Sequence, residues 1–323
     1  MLSRTAHELF WMARHIERAE NTARILDVTY RMSLLPYDAV ESGLAWAEPW
    51  AVPLISSGLA TSFYERYSTL SAENVLRYMI LDNSNDSSIQ CCLWAARESA
   101  RSVRGAITSE MYEDLNSSWL EMRGYDFERI QAYGVSEFMD WVKMRSHLIR
   151  GVTFGTMLRD EAYHFIRLGT HLERADNTAR ILDVKYHILL PSAADVGGAV
   201  DYYQWGALLR SVSGFESYRK IYRDVITPRR VAELLILRED MPRSLHSCMN
   251  LIQETLDKLC NGHSREIQRA TGELHARLHF GRTDDIIRFG LHEYLMDFLD
   301  RISALGDAIG RDFFATGQAA GHQ

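Results

Sequence analysis

Met12, Ile16, Ala19, Ala23, Leu26 and Tyr30 follow one another at spacings of three and four. That rhythm puts them on one face and predicts a single long helix over residues 5–35. Pro36 stops it, and residues 37–53 read as irregular. Helical patterns return over 53–70 and 72–81. Asn83-Ser84-Asn85-Asp86-Ser87-Ser88 reads as a turn whose last polar residues cap a helix from Ile89 to Arg101. A further helix is expected from Ser109 to Tyr133, with a possible interruption at Gly124, and another from near Ser136. No run of alternating β-branched residues suggests a strand, and Gly and Pro punctuate only the joints, so the fold class is all-α.

The pattern is written twice. His15 to Tyr30 and His171 to Tyr186 align at an offset of 156, and only Ile16/Leu172, Glu20/Asp176 and Thr29/Lys185 differ. The same offset places Val75 on Val231, Ser88 to Cys92 on Ser244 to Cys248, and Gly134 to Met139 on Gly290 to Leu295. At 155, Trp50 to Tyr67 resembles Trp205 to Tyr222. An internal repeat this long predicts a duplicated helical bundle. Its two pseudo-symmetric halves, 1–155 and 156–315, are expected to share one core, with 316–323 a flexible tail.

The polar side of the opening motif carries the candidate chemistry. On a helical wheel Arg14, Glu17, Arg18, Asn21 and Arg24 lie within about 60° of Asn21, opposite the Met12/Ala19/Ala23 face. The second copy keeps Glu173, Arg174, Asn177 and Arg180, and the pair Asp27/Asp183 also recurs. A merely solvated face would not hold the same polar types in both halves. Arginine in particular forks onto a carboxylate where lysine cannot. Two readings follow. Either these residues close on each other as buried ion pairs that fix helix register between the halves, or they line a cleft where arginines receive a carboxylate or phosphate and glutamates an amine. In the second case Glu17 or Glu173 would be a general base and Arg24 or Arg180 an anchor for a carboxylate. Arg101, Ser102 and Arg104 form a compact basic loop, read as a helix-capping turn or as an anion-binding loop facing the same cleft.

Other chemistry finds little support. The formal charge of −7 argues against a nucleic-acid partner. Cys91, Cys92, Cys248 and Cys260 make no disulfide framework and read as reduced thiols. Arg4, Glu8, Arg14 and Glu17 interrupt any signal-peptide core, and Leu234 to Leu237 is too short to span a bilayer. A soluble, cytoplasmic protein is expected. Glu161-Ala162-Tyr163-His164 has di-iron spacing without a repeat partner, and His275-Ala276-Arg277-Leu278-His279 lacks a zincin glutamate, so neither is taken as a metal site. No phosphate loop, dinucleotide fingerprint or nucleophile elbow occurs, and no cofactor is expected. His15 and His171 read as structural.

The residues now named resemble the alpha-E family, a bacterial all-helical group with a recurrent Glu-Arg motif. The resemblance rests on Leu2-Ser3-Arg4-Thr5-Ala6, Ile16 to Arg24, Ser102-Val103-Arg104-Gly105, Leu172 to Asp176, Val231 to Ser244 and Gly290 to Tyr294. Thr170-His171 departs from it, since a basic residue is expected there. The resemblance implies an association with a circularly permuted ATP-grasp protein and a transglutaminase-like protein, and with the making or trimming of a peptide or amide-linked product. It implies no catalytic residues. The expected role is an accessory helical component that binds a partner protein or peptide, with an enzyme of the same pathway or a structural oligomerisation module as alternatives.

Overall fold

A computed structural model of the chain describes residues 1–33, 49–187, 198–260 and 264–314. Helix α1 (Ser3–Ser33) is followed by α2 (Ala51–Ser56), α3 (Ala60–Tyr64), α4 (Ala72–Ile80), α5 (Ile89–Ser102), α6 (Ser109–Met122), α7 (Phe127–Tyr133) and α8 (Val135–Thr156). Then come α9 (Glu161–His187), α10 (Ala199–Ser211), α11 (Phe215–Tyr222), α12 (Pro228–Ala232), α13 (Leu245–Leu259), α14 (Arg265–His279), α15 (Thr283–Phe289) and α16 (Leu291–Ile309). A single π turn, Glu233–Leu237, prolongs α12, and a second, Gly310–Phe314, prolongs α16. Among the described residues there is no strand, and the all-α reading holds. None of their helices is long and apolar enough to cross a membrane.

Most boundaries follow local chemistry. Ser88 caps α5 by accepting from the Cys91 amide, and Ser244 caps α13 by accepting from that of Ser247. Gly134 (φ +111°) and Gly290 (φ +106°) open α8 and α16 in a conformation that L side chains rarely adopt. A Cβ there would lie 2.0 Å from the carboxylate of Glu137 or Glu293, which accounts for the recurrence of Gly-x-x-Glu in both halves. Two expectations need correcting. The helix predicted over 53–70 is two short ones, broken where Gly58 turns to φ +70°, and it starts at Ala51, inside the stretch read as irregular. The helix predicted over 109–133 is α6 and α7, because Asp126 caps a new start by accepting from the Arg129 amide. The stretch around Pro36 and the tail 316–323 lie outside the described residues.

Helices α1 and α9 form the centre. Contacts pair Met1 with Glu161, Phe10 with Gly169 and Arg18 with Glu173, so the two run parallel and side by side. α1 also packs against α5, α8 and α10, and α9 against α13 and α16. Both are therefore wrapped on nearly every side, and from Ala6 to Thr29 most α1 residues are buried, polar ones included. One apolar cluster draws on both halves, from Leu9 and Phe10 through Ile149 and Leu168 to Phe298. A second lies wholly within residues 19–142, around Leu26, Phe63, Tyr78 and Phe138.

Close approach of the central pair depends on Gly169. A Cβ there would stand 2.3 Å from the Phe10 carbonyl oxygen and 3.3 Å from the Ala13 Cβ. Ala raises helix propensity over Gly by about 1 kcal/mol. A clash with backbone on the facing helix has no flexible side chain to absorb it, and overpacking of this kind costs about 3 kcal/mol. Gly169→Ala is therefore expected to lower the thermal unfolding midpoint. A midpoint unchanged or raised by calorimetry would mean that the helices do not approach here.

Candidate functional site

The two Glu-Arg motifs meet across the parallel helices and exchange partners. Arg174 donates through Nε to Glu17 Oε1 at 2.9 Å and through Nη2 to Oε2 at 2.8 Å. Arg18 reciprocates, with Nε 2.6 Å from Glu173 Oε1 and Nη2 3.1 Å from Oε2. Each motif supplies the glutamate of one fork and the arginine of the other. The geometry is the planar bidentate match that lysine cannot reproduce.

Beyond the crossed forks the two sides differ. On the Glu17 side, Arg243 Nη1 donates to Glu17 Oε1 at 3.1 Å and to Asn21 Oδ1 at 3.0 Å, while its Nη2 donates to Glu20 Oε1 at 2.6 Å. Arg150 from α8 donates to Glu17 at 3.0 Å and also to Glu20, and Ser146 donates to Glu20 at 2.7 Å. Arg24 forks onto Glu20 within its own helix and donates to Ser213 Oγ at 2.7 Å. Ser213 is held at φ +53°, and Gly58 stands at the corresponding place in the first half. On the Glu173 side only Arg14 is added, at 2.7 Å. Asp176 takes a fork from its neighbour Arg180. Asp27 pairs with Arg31 and Lys143, and Asp183 lies 2.6 Å from His292 Nδ1.

Burial raises the affinity of Glu17 for its proton, but Arg174 and Arg243 outweigh that and hold its pKa at about 2. Burial likewise opposes Arg18 and Arg14 at Glu173, and again the arginines win, at about 2. A general base works best with a pKa near the working pH, and these two carboxylates, already saturated with guanidinium donors, are far below it. Their role as bases does not follow from this geometry. Burial drives His171 well below its ordinary value and His15 to about 4, with Arg174 and Arg18 adding to the effect, so both are neutral at pH 7. Burial also pushes the thiols of Cys92 and Cys248 up to about 12, which leaves them unreactive.

The layer does not close completely on itself. A cleft of about 530 Å³ opens beside Glu17 and Arg174, lined also by Arg150, Arg159, Arg167, Lys258, His164, His171 and Glu254. A second, of about 730 Å³, opens beside Arg18 and Glu173 and includes Asp176, Asn177 and Arg180. Asn21 and Arg24 are buried and line neither. Arg101 pairs with Glu98, Ser102 donates to the Ser99 carbonyl, and Arg104 lies 4.4 Å over the Tyr112 ring. None of these three lines either cleft, so the basic loop is not brought to the motif helices.

Arg150, Arg243 and Ser146 were missed by sequence reasoning. At the offset of 156 their counterparts are Gly306, Ser87 and Ile302, so the repeat gave no signal for them. Arg14 was marked on the polar face, and its counterpart Thr170, already noted as a departure, donates instead to the Ile166 carbonyl.

The profile of the Alpha-E family, described as a predicted alpha-helical domain with a conserved ER motif, matches residues 1–314. The chain belongs to that family. None of the curated proteins and none of the solved structures compared with it matches.

Two measurements probe the layer. Removing one partner of a buried pair costs about 3–5 kcal/mol, mostly through the charge left behind. Glu17→Met strands arginines held by both Glu17 and Glu20 and is expected to cost more in chemical denaturation than Glu173→Met. Equal costs would place the two sides on the same footing. The second measurement is pH dependence. The folded pKa values of His15 and the two glutamates lie below the ordinary values of 6.5 and 4.5. Their stabilisation is thus full above those ordinary values and is lost as pH falls. Stability is expected to decline from about pH 6.5 toward 4 through His15, with His171 adding to the loss as pH falls below 6.5, then between about 4.5 and 2 through the glutamates. Replacing both histidines by Asn should shrink the first decline and leave the second unchanged, since His147 and His164, also lowered, still titrate in the first.

Proposed function

We propose that this Alpha-E protein is an accessory component of an amide-bond-forming system of the ATP-grasp and transglutaminase-like type. In this reading it holds an acidic peptide, or the acidic segment of a partner, in the cleft beside Glu17. The family resemblance suggests the kind of system, and the charge of the cleft suggests the ligand. Arg150, Arg159, Arg167, Arg174 and Lys258 face it against only Glu17 and Glu254, and the two lining histidines have lowered pKa values. A positive patch inside a concave, partly desolvated wall focuses its field and concentrates anions, although the whole chain is acidic.

That excess of cations is the observation that carries the proposal. Arg159 and Lys258 are exposed on the cleft rim and take no part in the Glu-Arg forks, so a lock of helix register does not call for them. Arg159 has its guanidinium over Phe154 at 5.2 Å, and Arg167 lies 3.9 Å from Glu254, a loose pairing that an incoming carboxylate could replace. Forked recognition of carboxylates is what guanidinium groups do best.

The test is a titration of the protein with a fluorescent, N-acetylated Glu-Glu-Glu peptide against its Gln-Gln-Gln counterpart. The acidic peptide should bind in preference, weaken as salt is raised, and lose on the order of tenfold in affinity on Arg159→Glu with Lys258→Glu. Both changes lie on the cleft rim and leave the Glu17–Arg174 fork intact. Equal binding of the two peptides, or no effect of the rim changes, would remove the anion-holding role. For the accessory role, the protein and its ATP-grasp partner should co-purify and together form an ATP-dependent product by mass analysis. Product formed equally well by the partner alone would count against it.

A further inference from the structure

We propose that His246, His275 and His279 form a binding site for a single zinc ion, carried on α13 and α14 and distinct from the Glu-Arg layer. One ring nitrogen from each of the three lies within 4.8 Å of the others. His275 and His279 are one turn apart on the same face of α14, their rings stacked at 5.7 Å, and His246 meets them from α13 at 5.8 and 5.4 Å between ring centres.

The surrounding hydrogen bonds set the tautomers that a metal needs. His246 Nδ1 is 2.8 Å from the carbonyl oxygen of Leu237, which can only accept, so Nδ1 carries the proton. That leaves the lone pair on Nε2, which is buried without a partner among the described residues, in a side chain only 4% exposed. His275 Nε2 is 2.6 Å from Asn250 Oδ1, again an acceptor, so the lone pair of His275 is on Nδ1. A metal-binding histidine almost always donates its other ring N–H to a carbonyl or carboxylate in this way, which fixes the ring and raises its basicity. The Leu237 carbonyl belongs to the π turn Glu233–Leu237, a local distortion of helix often found beside functional sites.

Three neutral imidazoles suit zinc, as they suit copper, iron and nickel, and zinc takes them at N–metal distances near 2.1 Å. Tetrahedral geometry asks for about 3.4 Å between ligand nitrogens. His279 is on the exposed rim, where its ring has room to turn toward the other two. Three ligands leave a fourth position toward solvent, as in zinc sites that hold a water. None of these positions is a histidine in the first half, where the offset of 156 gives Gln90, Trp119 and Arg123, so the site belongs to the second half alone.

The experiment titrates cobalt(II) into the tag-free, chelator-treated full chain and reads its visible absorption. The expected result is saturation at one equivalent with the intense band of four-coordinate cobalt, displaced by zinc. His279→Ala, changed on the rim and checked for native helicity by circular dichroism, should weaken binding on the order of 100-fold. His275→Ala should do the same. Only the faint absorption of six-coordinate cobalt, or equal binding by the wild type and both variants, would overturn the site.

Discussion

Everything in this fold is arranged around two carboxylates that cross between parallel helices. Helices laid parallel have their dipoles aligned, so they do not attract one another as antiparallel neighbours do, and something else must fix their register. Here Gly169 lets the backbones touch near Phe10, and seven or eight residues further on the Glu17–Arg174 and Glu173–Arg18 forks lock the pair. A slide of one helix by a single turn would break both forks together. Buried ion pairs add little stability over apolar residues of similar volume, and specifying one geometry is their best-attested use. The forks also account for the surrounding helices. Two charged pairs deep in the protein need cover on every side, and α5, α8, α10, α13 and α16 supply it.

The repeat is most informative where it fails. Glu20 and Asp176 differ by one methylene, a change that looks mild in the sequence. Glu20 nevertheless reaches Arg243, Arg150 and Ser146, whereas Asp176 pairs with Arg180 on its own helix. Arg14 serves Glu173, while Thr170 at the corresponding place turns back on its own backbone. One side of the layer is thereby knitted to α8 and to the start of α13. The other stays simpler and opens on the larger of the two clefts. The common pair sets the architecture, and the departures give each side its own chemistry.

How much of this was legible follows from the range of the interactions. Periodicity reports local structure, so the all-α class, the long first helix and the serine cap of α5 could be read directly. The polar face of the motif was legible because the repeat supplied a comparison within one chain. That its arginines would cross to the other copy was one of two readings, and spacing could not choose between them, since it gives no helix direction. Arg150 and Arg243 come from more than a hundred and two hundred residues away and have no repeat counterparts that are basic. The histidine cluster illustrates the same limit. The pair on α14 was visible as an i, i+4 spacing and was set aside because it lacks a zincin glutamate, whereas the third histidine comes from α13 only in three dimensions.

Charge decides between a layer that is only a lock and one that also receives a ligand. On the Glu17 side two carboxylates, Glu17 and Glu20, meet four guanidinium groups, those of Arg24, Arg150, Arg174 and Arg243. Burial, against the pull of Glu17 and Glu20, brings the pKa of Arg243 down to about 10, so it remains charged at neutral pH while bearing the cost of desolvation. The Glu173 fork carries the same ratio, one carboxylate to the two guanidinium groups of Arg14 and Arg18, but it is not joined to a second buried glutamate. The surplus on the Glu17 side raises the cost of folding without improving register, and two of its four arginines, Arg150 and Arg174, line the cleft. An anion entering there relieves the imbalance that the folded chain carries on its own, and a cation would deepen it. The same reasoning makes the fork and the cleft parts of one device: Glu17 holds Arg174 in place, and Arg150, Arg159, Arg167 and Lys258 line the same cleft beside it.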